Sequence, residues 1–255
     1  MTRPITKKVP PRTGTAPRHG VARVLSKLGL GSRTEAARWV LEGRVTVNGR
    51  LVRDPEFPVR QGLDQVAVEG RSPAAAGRLT LMLNKPRGLV TTTRDERGRD
   101  TVYRCLDGAS LPWLAPVGRL DKASEGLLLF CNDPAWAAEI TSPKTGPAKT
   151  YHVQIDRLPE ESLLAGLQAG VTLAGERIGV HSVRCLRQGI RHAWLEIVLD
   201  EGRNRHIRRL LAAFDVGVLR LVRVAIGPLK LGTLPRGSWR LLSGDEVDAL
   251  TSTNP

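Results

Sequence analysis

Gly118-Arg119-Leu120-Asp121-Lys122-Ala123-Ser124-Glu125-Gly126-Leu127-Leu128-Leu129-Phe130 sets an Arg-Leu-Asp triplet on a glycine-flanked loop and then runs into four large apolar residues. Those four are short, contiguous and closed by the turn-and-cap signal Asn132-Asp133-Pro134, so they read as a buried strand. A carboxylate beside a buried strand needs a reason, because Asp is rarely buried without a partner. Two readings of Asp121 stand at this point: a structural ion pair with Arg119, two residues away, or a carboxylate held for chemistry.

Three further segments carry charged or aromatic groups next to strand-like or helical patterns. In Leu83-Asn84-Lys85-Pro86-Arg87-Gly88 a strand end meets a basic turn; Pro86 removes a backbone donor and drives Lys85 away from helical geometry. Lys149-Thr150-Tyr151 opens an alternating strand, and Tyr151 is one of only two tyrosines, so it is either a rim or core residue or a flat face for a ligand. Glu201-Gly202-Arg203-Asn204-Arg205-His206-Ile207-Arg208-Arg209-Leu210 reads as a helix capped by Asn204. There Arg205, Arg208 and Arg209 project from one side while Ile207, Leu210 and Leu211 turn inward. A guanidinium so placed is either a solvated charge or a fork for a carboxylate or phosphate.

Farther out, Leu79–Leu83, Tyr151–Ile155, Ala193–Leu199 and Val218–Val224 are strand-like, Asp133-Pro134 starts one helix and Pro159 to Leu167 gives another. Few helices fall between strands at crossover spacing, which predicts an α+β domain with a mainly antiparallel mixed sheet. Toward the N-terminus, Val21, Val24, Leu25 and Leu28 mark an amphipathic helix ending at Gly29. Ser32 and Glu35 form a capping box for a second helix closed by Gly43, and Asn48-Gly49 sits between β-formers as a hairpin turn. Residues 21–70 therefore read as a small helix–helix–hairpin module, 71–77 as a linker and 78–255 as the larger domain. Residues 1–20 hold five basic groups, four prolines and no acid, the composition of a disordered basic arm.

The formal charge is +14, of which the arm supplies five, so a polyanionic partner is expected. Three scattered cysteines suggest neither disulfides nor a thiolate metal site, and the five histidines lack zinc-ligand spacing. No apolar run approaches the roughly 18 residues of a membrane span, and the basic N-terminus lacks a signal-peptide core. A soluble protein of the reducing cytoplasm is expected, with no metal and no membrane.

The string Ser32–Ala36 followed by Glu42–Gly49 resembles the small RNA-binding fold named after ribosomal protein S4, with Thr34 where a second Arg is common. Gly118–Leu129, Lys149–Tyr151 and Glu201–Leu210 together resemble the RsuA-type family of ribosomal RNA pseudouridine synthases, over nearly the whole chain past the arm. That resemblance implies Asp121 as the essential carboxylate, Tyr151 as the aromatic packed on the target base, and Arg208 as the basic partner of the aspartate. Ser124, His206 and Pro134 depart from the commoner Thr, Gln and Gly without removing any of these groups. The reaction breaks the bond from ribose to uracil nitrogen and rejoins through carbon 5; no electrons are exchanged, so no cofactor is expected.

RNA contacts are expected at Arg23, Lys27, Arg33, Arg38 and Arg44 of the module, and at Lys85, Arg87, Arg119, Lys149, Arg205 and Arg209 of the larger domain. The run Leu221–Leu229 looks more like members that act on large-subunit 23S rRNA than on 16S rRNA. Ribosomal RNA, alone or in ribosome assembly intermediates, is the expected partner of a monomeric enzyme. The competing readings are a non-catalytic RNA-binding assembly factor and a DNA-directed base-processing enzyme.

Overall fold

The computed structural model describes residues 17–70, 77–93 and 95–252. The chain divides into two compact units, Met1–Ala75 and Ala76–Pro255. The expected arm lies outside the described residues up to 16, and the expected linker does so from 71 to 76.

The first unit orders its elements as β1 (Arg18–Gly20), α1 (Val21–Lys27), α2 (Arg33–Leu41), β2 (Val45–Val47), β3 (Arg50–Val52), β4 (Pro58–Arg60) and β5 (Val66–Val68). Helix α2 starts where expected because the Ser32 hydroxyl accepts from the Glu35 amide at 3.1 Å while the Glu35 carboxylate accepts from the Ser32 amide at 2.9 Å. The β2–β3 hairpin turns on Asn48 and Gly49, both at positive φ (51° and 77°), and β5 adds to the other edge of β2. Val21, Val24, Leu25, Ala36, Val40, Val45 and Val59 make the buried core. One expectation fails here. Arg18–Gly20 is not part of a disordered arm but a strand, antiparallel to Pro58–Arg60. Its partner lies about forty residues away, so local composition carried no sign of it.

The second unit begins with β6 (Thr80–Lys85), β7 (Ala115–Val117), β8 (Glu125–Cys131), α3 (Pro134–Thr141) and β9 (Lys149–Ile155). It continues through α4 (Glu161–Ala169), β10 (Val171–Leu173), β11 (Glu176–Ile178), β12 (Ser182–Gln188) and β13 (Ala193–Leu199). The last elements are α5 (His206–Ala212), β14 (Val218–Ile226), β15 (Leu229–Lys230), β16 (Trp239–Leu241) and α6 (Gly244–Thr251). Nine strands form one sheet in the order β12-β13-β9-β14-β8-β6-β16, with β15 beside β14 and β7 beside β8. Only the β8–β14 pair is parallel, so the sheet is mixed and mainly antiparallel.

Burial explains the two kinds of strand sequence. All of β8 is buried, because Leu128 and Phe130 enter one core with Leu81, Val153 and Ile197, while Leu127 and Leu129 enter a second with Trp136, Ile140 and Leu250. A strand covered on both faces reads as a continuous apolar run. Strands β9 and β13 are covered on one face and alternate accordingly.

Two helix starts differ from expectation. Pro159 precedes α4 rather than opening it; Glu160 is the N-cap and forms no side-chain cap bond. Asn204 does not cap α5. The N-cap is Arg205, at φ 50°, and the helix begins only at His206, so Arg205 leaves the helical face on which the spacing placed it.

Candidate active site

Asp121 sits in the loop between β7 and β8, and the surrounding residues tie that loop by its carbonyl oxygens. Lys85, the last residue of β6, is fully buried, and its Nζ donates to the carbonyls of Ser124 (2.9 Å), Pro86 (3.0 Å) and Asp121 (3.2 Å). Three donors meet three acceptors, which is what a buried ammonium needs. Burial pulls the Lys85 pKa down to about 8, opposed by Cys105, Glu125 and Asp121. Thr91 Oγ1 donates to the Leu120 carbonyl at 2.7 Å, and the Gly88 amide to that of Lys122 at 2.8 Å. Lys85 was expected to contact RNA; with no exposed surface it cannot, and it acts instead as the anchor of the Asp121 loop.

The next residues fix the strand behind the loop. Glu125, almost fully buried, receives both arms of Arg220 (2.9 and 3.0 Å) and Arg236 at 3.3 Å. The Arg220 bond holds its carboxyl below the usual range. At Gly126 (φ 99°) a Cβ would fall 2.2 Å from the Arg223 carbonyl oxygen, so only glycine permits this approach of β8 to β14.

A cleft of about 310 Å³ opens over this loop, in the range of about 300–1,000 Å³ usual for small-molecule sites. Asp121, Tyr151, Lys149, Arg208 and Arg223 line it, with Leu199, Leu221 and Ile226 as apolar wall and Arg119, Arg203, Asn204 and Arg205 as more exposed members. Asp121 is its sole carboxylate among the described residues. Half-buried, that carboxylate has no hydrogen bond or ion pair to any described residue, so the structural pair with Arg119 is absent and Asp121 lines the cleft without a bonded partner. Tyr151 is 8 % exposed and lies on β9 directly across from Arg223 of β14 and Ile197 of β13.

Arg208 reaches the same cleft from α5, but no direct bond joins it to Asp121 among the described residues. Its Nη2 donates to the Ala123 carbonyl at 3.3 Å and its Nη1 to that of Val218 at 3.4 Å, and its Nε is buried without a partner. The expected pairing is therefore one of proximity. Burial lowers the Arg208 pKa, and the Asp121 charge acts against that.

The other expected contacts divide by exposure. Arg87, Arg119 and Arg205 are exposed and make no hydrogen bond or ion pair with a carboxylate among the described residues, though the Arg87 charge is felt by Glu125. Arg209 is not free: its Nη2 is 3.0 Å from Glu176, and it does not line the cleft. Lys149 is 9 % exposed at the cleft wall, so it can meet only what enters the cleft. In the module Arg23, Lys27 and Arg33 stand without carboxylate partners among the described residues, whereas Arg38 is 3.6 Å from Glu42, and Arg44 binds Glu42 (3.2 Å) and Glu69 (2.8 Å). Arg23 and Lys27 lie one helical turn apart on α1, and the charge of both adds to burial in lowering the His19 pKa. Sequence reasoning missed Arg223; its signal was a lone Arg inside the aliphatic run Leu221–Ile226.

Comparison with known proteins agrees with this geometry. A family model for RNA pseudouridylate synthase matches residues 79–213, and an S4 domain model matches residues 21–64. An RNA pseudouridine synthase of Aquifex aeolicus (strain VF5) is 35% identical over 232 residues, 90% of this chain and 92% of that protein. One of Mycobacterium bovis (strain ATCC BAA-935 / AF2122/97) is 35% identical over 233 residues, 89% and 91% of the two chains. A crystal structure of a pseudouridylate synthase superposes with a TM-score of 0.63 at 27% identity, covering 91% of this chain and 99% of the other. With a matching family model over the Asp121 cleft and these relatives along nearly its whole length, the chain belongs to the RNA pseudouridylate synthases, as a member that carries an N-terminal S4 domain.

Proposed function

We propose that this RNA pseudouridine synthase acts on ribosomal RNA, on 23S rather than 16S, as a cytoplasmic monomer that meets its substrate free or in ribosome assembly intermediates. Asp121 is its essential carboxylate. The observation that carries this reading is the Asp121 side chain, unpaired in a cleft otherwise lined by cationic, apolar and neutral polar groups. The 23S preference rests on the likeness of the Leu221–Leu229 run. Among the described residues no helix is long and apolar enough to cross a membrane.

The target uridine must leave its stack to enter the cleft. Tyr151 supplies a flat apolar face for the base, and the more exposed Arg119 and Arg205 stand where the flanking phosphates remain in water. Cleavage of the C1′–N1 bond builds positive charge on the ribose, which the ionised Asp121 stabilises or captures. Arg208, held on the Ala123 and Val218 carbonyls, places a positive charge near that carboxylate. Reattachment joins C1′ to C5; C5 loses a proton and N1 gains one, so uridine and pseudouridine are isomers. The test is to map pseudouridines in rRNA from cells with and without the gene. Loss of a single 23S position, restored by the wild-type gene and not by Asp121→Asn, is expected; an unchanged rRNA map would contradict the assignment.

A further inference from the structure

Lys149 and Arg223 form a second charged feature of the cleft, apart from Asp121 and Arg208. They lie on neighbouring strands, and both flank Tyr151. Arg223 is its cross-strand neighbour, and Lys149 precedes it by two residues on the same face of β9. The two side chains are 9 % and 5 % exposed, and both line the cleft. Arg223 Nε donates to the Leu127 carbonyl at 2.7 Å, while its Nη2 is buried with no partner. The Lys149 ammonium has no hydrogen bond or ion pair to any described residue. Burial and the Arg223 charge bring its pKa down to about 8, against the pull of Asp200, so at neutral pH it is still a cation.

Two buried cations side by side, without a carboxylate bonded to either, leave an uncompensated charge in a low-dielectric wall. Something negative is expected to complete it when the cleft is filled. RNA offers two kinds of negative charge, the phosphates and the uracil ring as its bond to ribose breaks. The phosphates stay hydrated, and Arg119 and Arg205 stand exposed to receive them. Tyr151 marks where the base lies, and its neighbours are Lys149 and Arg223.

We infer that Lys149 and Arg223 hold the negative charge that develops on the carbonyl oxygens of uracil as the C1′–N1 bond breaks. The electron pair of that bond moves to N1 and spreads to the ring oxygens, where the two cations receive it. It returns when C5 bonds to C1′; the C5 proton is then lost and a proton is taken up at N1, so no charge or proton is consumed. The apolar Leu199, Leu221 and Ile226 around the pair exclude water and make each charge count for more. The inference rests on the pseudouridine-forming role of the Asp121 cleft.

The test measures single-turnover pseudouridine formation on unmodified 16S and 23S rRNA transcripts, together with RNA affinity at several salt concentrations. Lys149→Met and Arg223→Met should each lose about 10²–10³-fold in the rate constant at saturating enzyme. Affinity should stay within about twofold and its salt slope should not change, because no phosphate contact has gone. Lys149→Arg should restore most of the rate, and Lys149→Gln, which keeps bulk and polarity, should be as slow as Lys149→Met. If a Met variant fails to fold, the Gln and Arg variants decide by the same criteria. Near-wild-type rates for Lys149→Gln would overturn the inference. So would a loss confined to affinity with a salt slope reduced by about one, which marks a phosphate contact. Wild-type turnover, and its absence in Asp121→Asn, report separately on the underlying role; a wild-type enzyme inactive on both transcripts would remove that role and the inference with it.

Discussion

In the S4 module Arg23 and Arg33 are exposed and Lys27 is half-buried, all three without a carboxylate partner among the described residues, whereas in the catalytic unit Lys85, Lys149 and Arg223 are buried. Both sets count equally toward the +14 charge, yet they can do different work. Exposed charges act on a polyanion through counterion release, at any register along its backbone, and salt weakens them. A buried ammonium or guanidinium acts on its immediate surroundings with little screening by salt, and hydrogen bonds hold Lys85 and Arg223 in place. Lys85 holds three carbonyls, and Arg223 holds one and leaves a nitrogen over. Net charge therefore indicates that the protein binds RNA, and burial indicates where chemistry is organised.

The sharpest break between the two regions is expected at Asp121. Asp121→Asn should lower pseudouridine formation by at least about 10⁴-fold, as loss of an essential catalytic group does. Its RNA affinity should remain within about tenfold, checked by filter binding alongside the rate. Lys85→Met should come next. It strips three loop carbonyls of a donor, at a cost of about 1–3 kcal/mol in stability, read by chemical denaturation. A loop displaced by about 1 Å should slow the reaction about 10²-fold. Unchanged stability and rate in this variant would show that the buried ammonium does not position Asp121.

The smallest effect is expected at His206, the first residue of α5. Its Nε2 contacts the Gly179 carbonyl at 2.6 Å and its Nδ1 is buried without a partner, so burial lowers its pKa from 6.5. The unfolded chain then takes up a proton more readily than the folded one. This part of the stability is full above about pH 6.5 and declines as the pH falls from there toward the folded-state pKa. His206→Gln should flatten the pH dependence of stability across that acidic window and leave the stability at neutral pH within about 1 kcal/mol of wild type, both read by chemical denaturation.

Much of this was legible in the sequence where the signal is local. The Ser32–Glu35 box, the Asn48-Gly49 turn, the Asp133-Pro134 start and the four apolar residues of β8 each carry their own physical cause within a few positions. The cleft-lining trio Asp121, Tyr151 and Arg208 was legible through family resemblance, not through spacing. What was not legible depends on distant partners. Lys85 looked like a basic turn because the carbonyls that surround it come mainly from residues 121 and 124, far along the chain. Arg18–Gly20 becomes a strand only because Pro58–Arg60 lies beside it. Arg205 left its predicted helical face through a left-handed backbone that periodicity does not encode.

The division of labour between surface and buried cations is tested most directly by one measurement on Arg23→Ala/Lys27→Ala/Arg33→Ala in the full chain, the single-turnover rate as a function of enzyme concentration at two salt concentrations. The plateau rate constant should stay within about twofold of wild type, while half-saturation moves to higher enzyme concentration and loses about two to three units of salt slope for the three charges removed. A plateau that collapses while half-saturation and its salt slope stay at wild-type values would contradict the account.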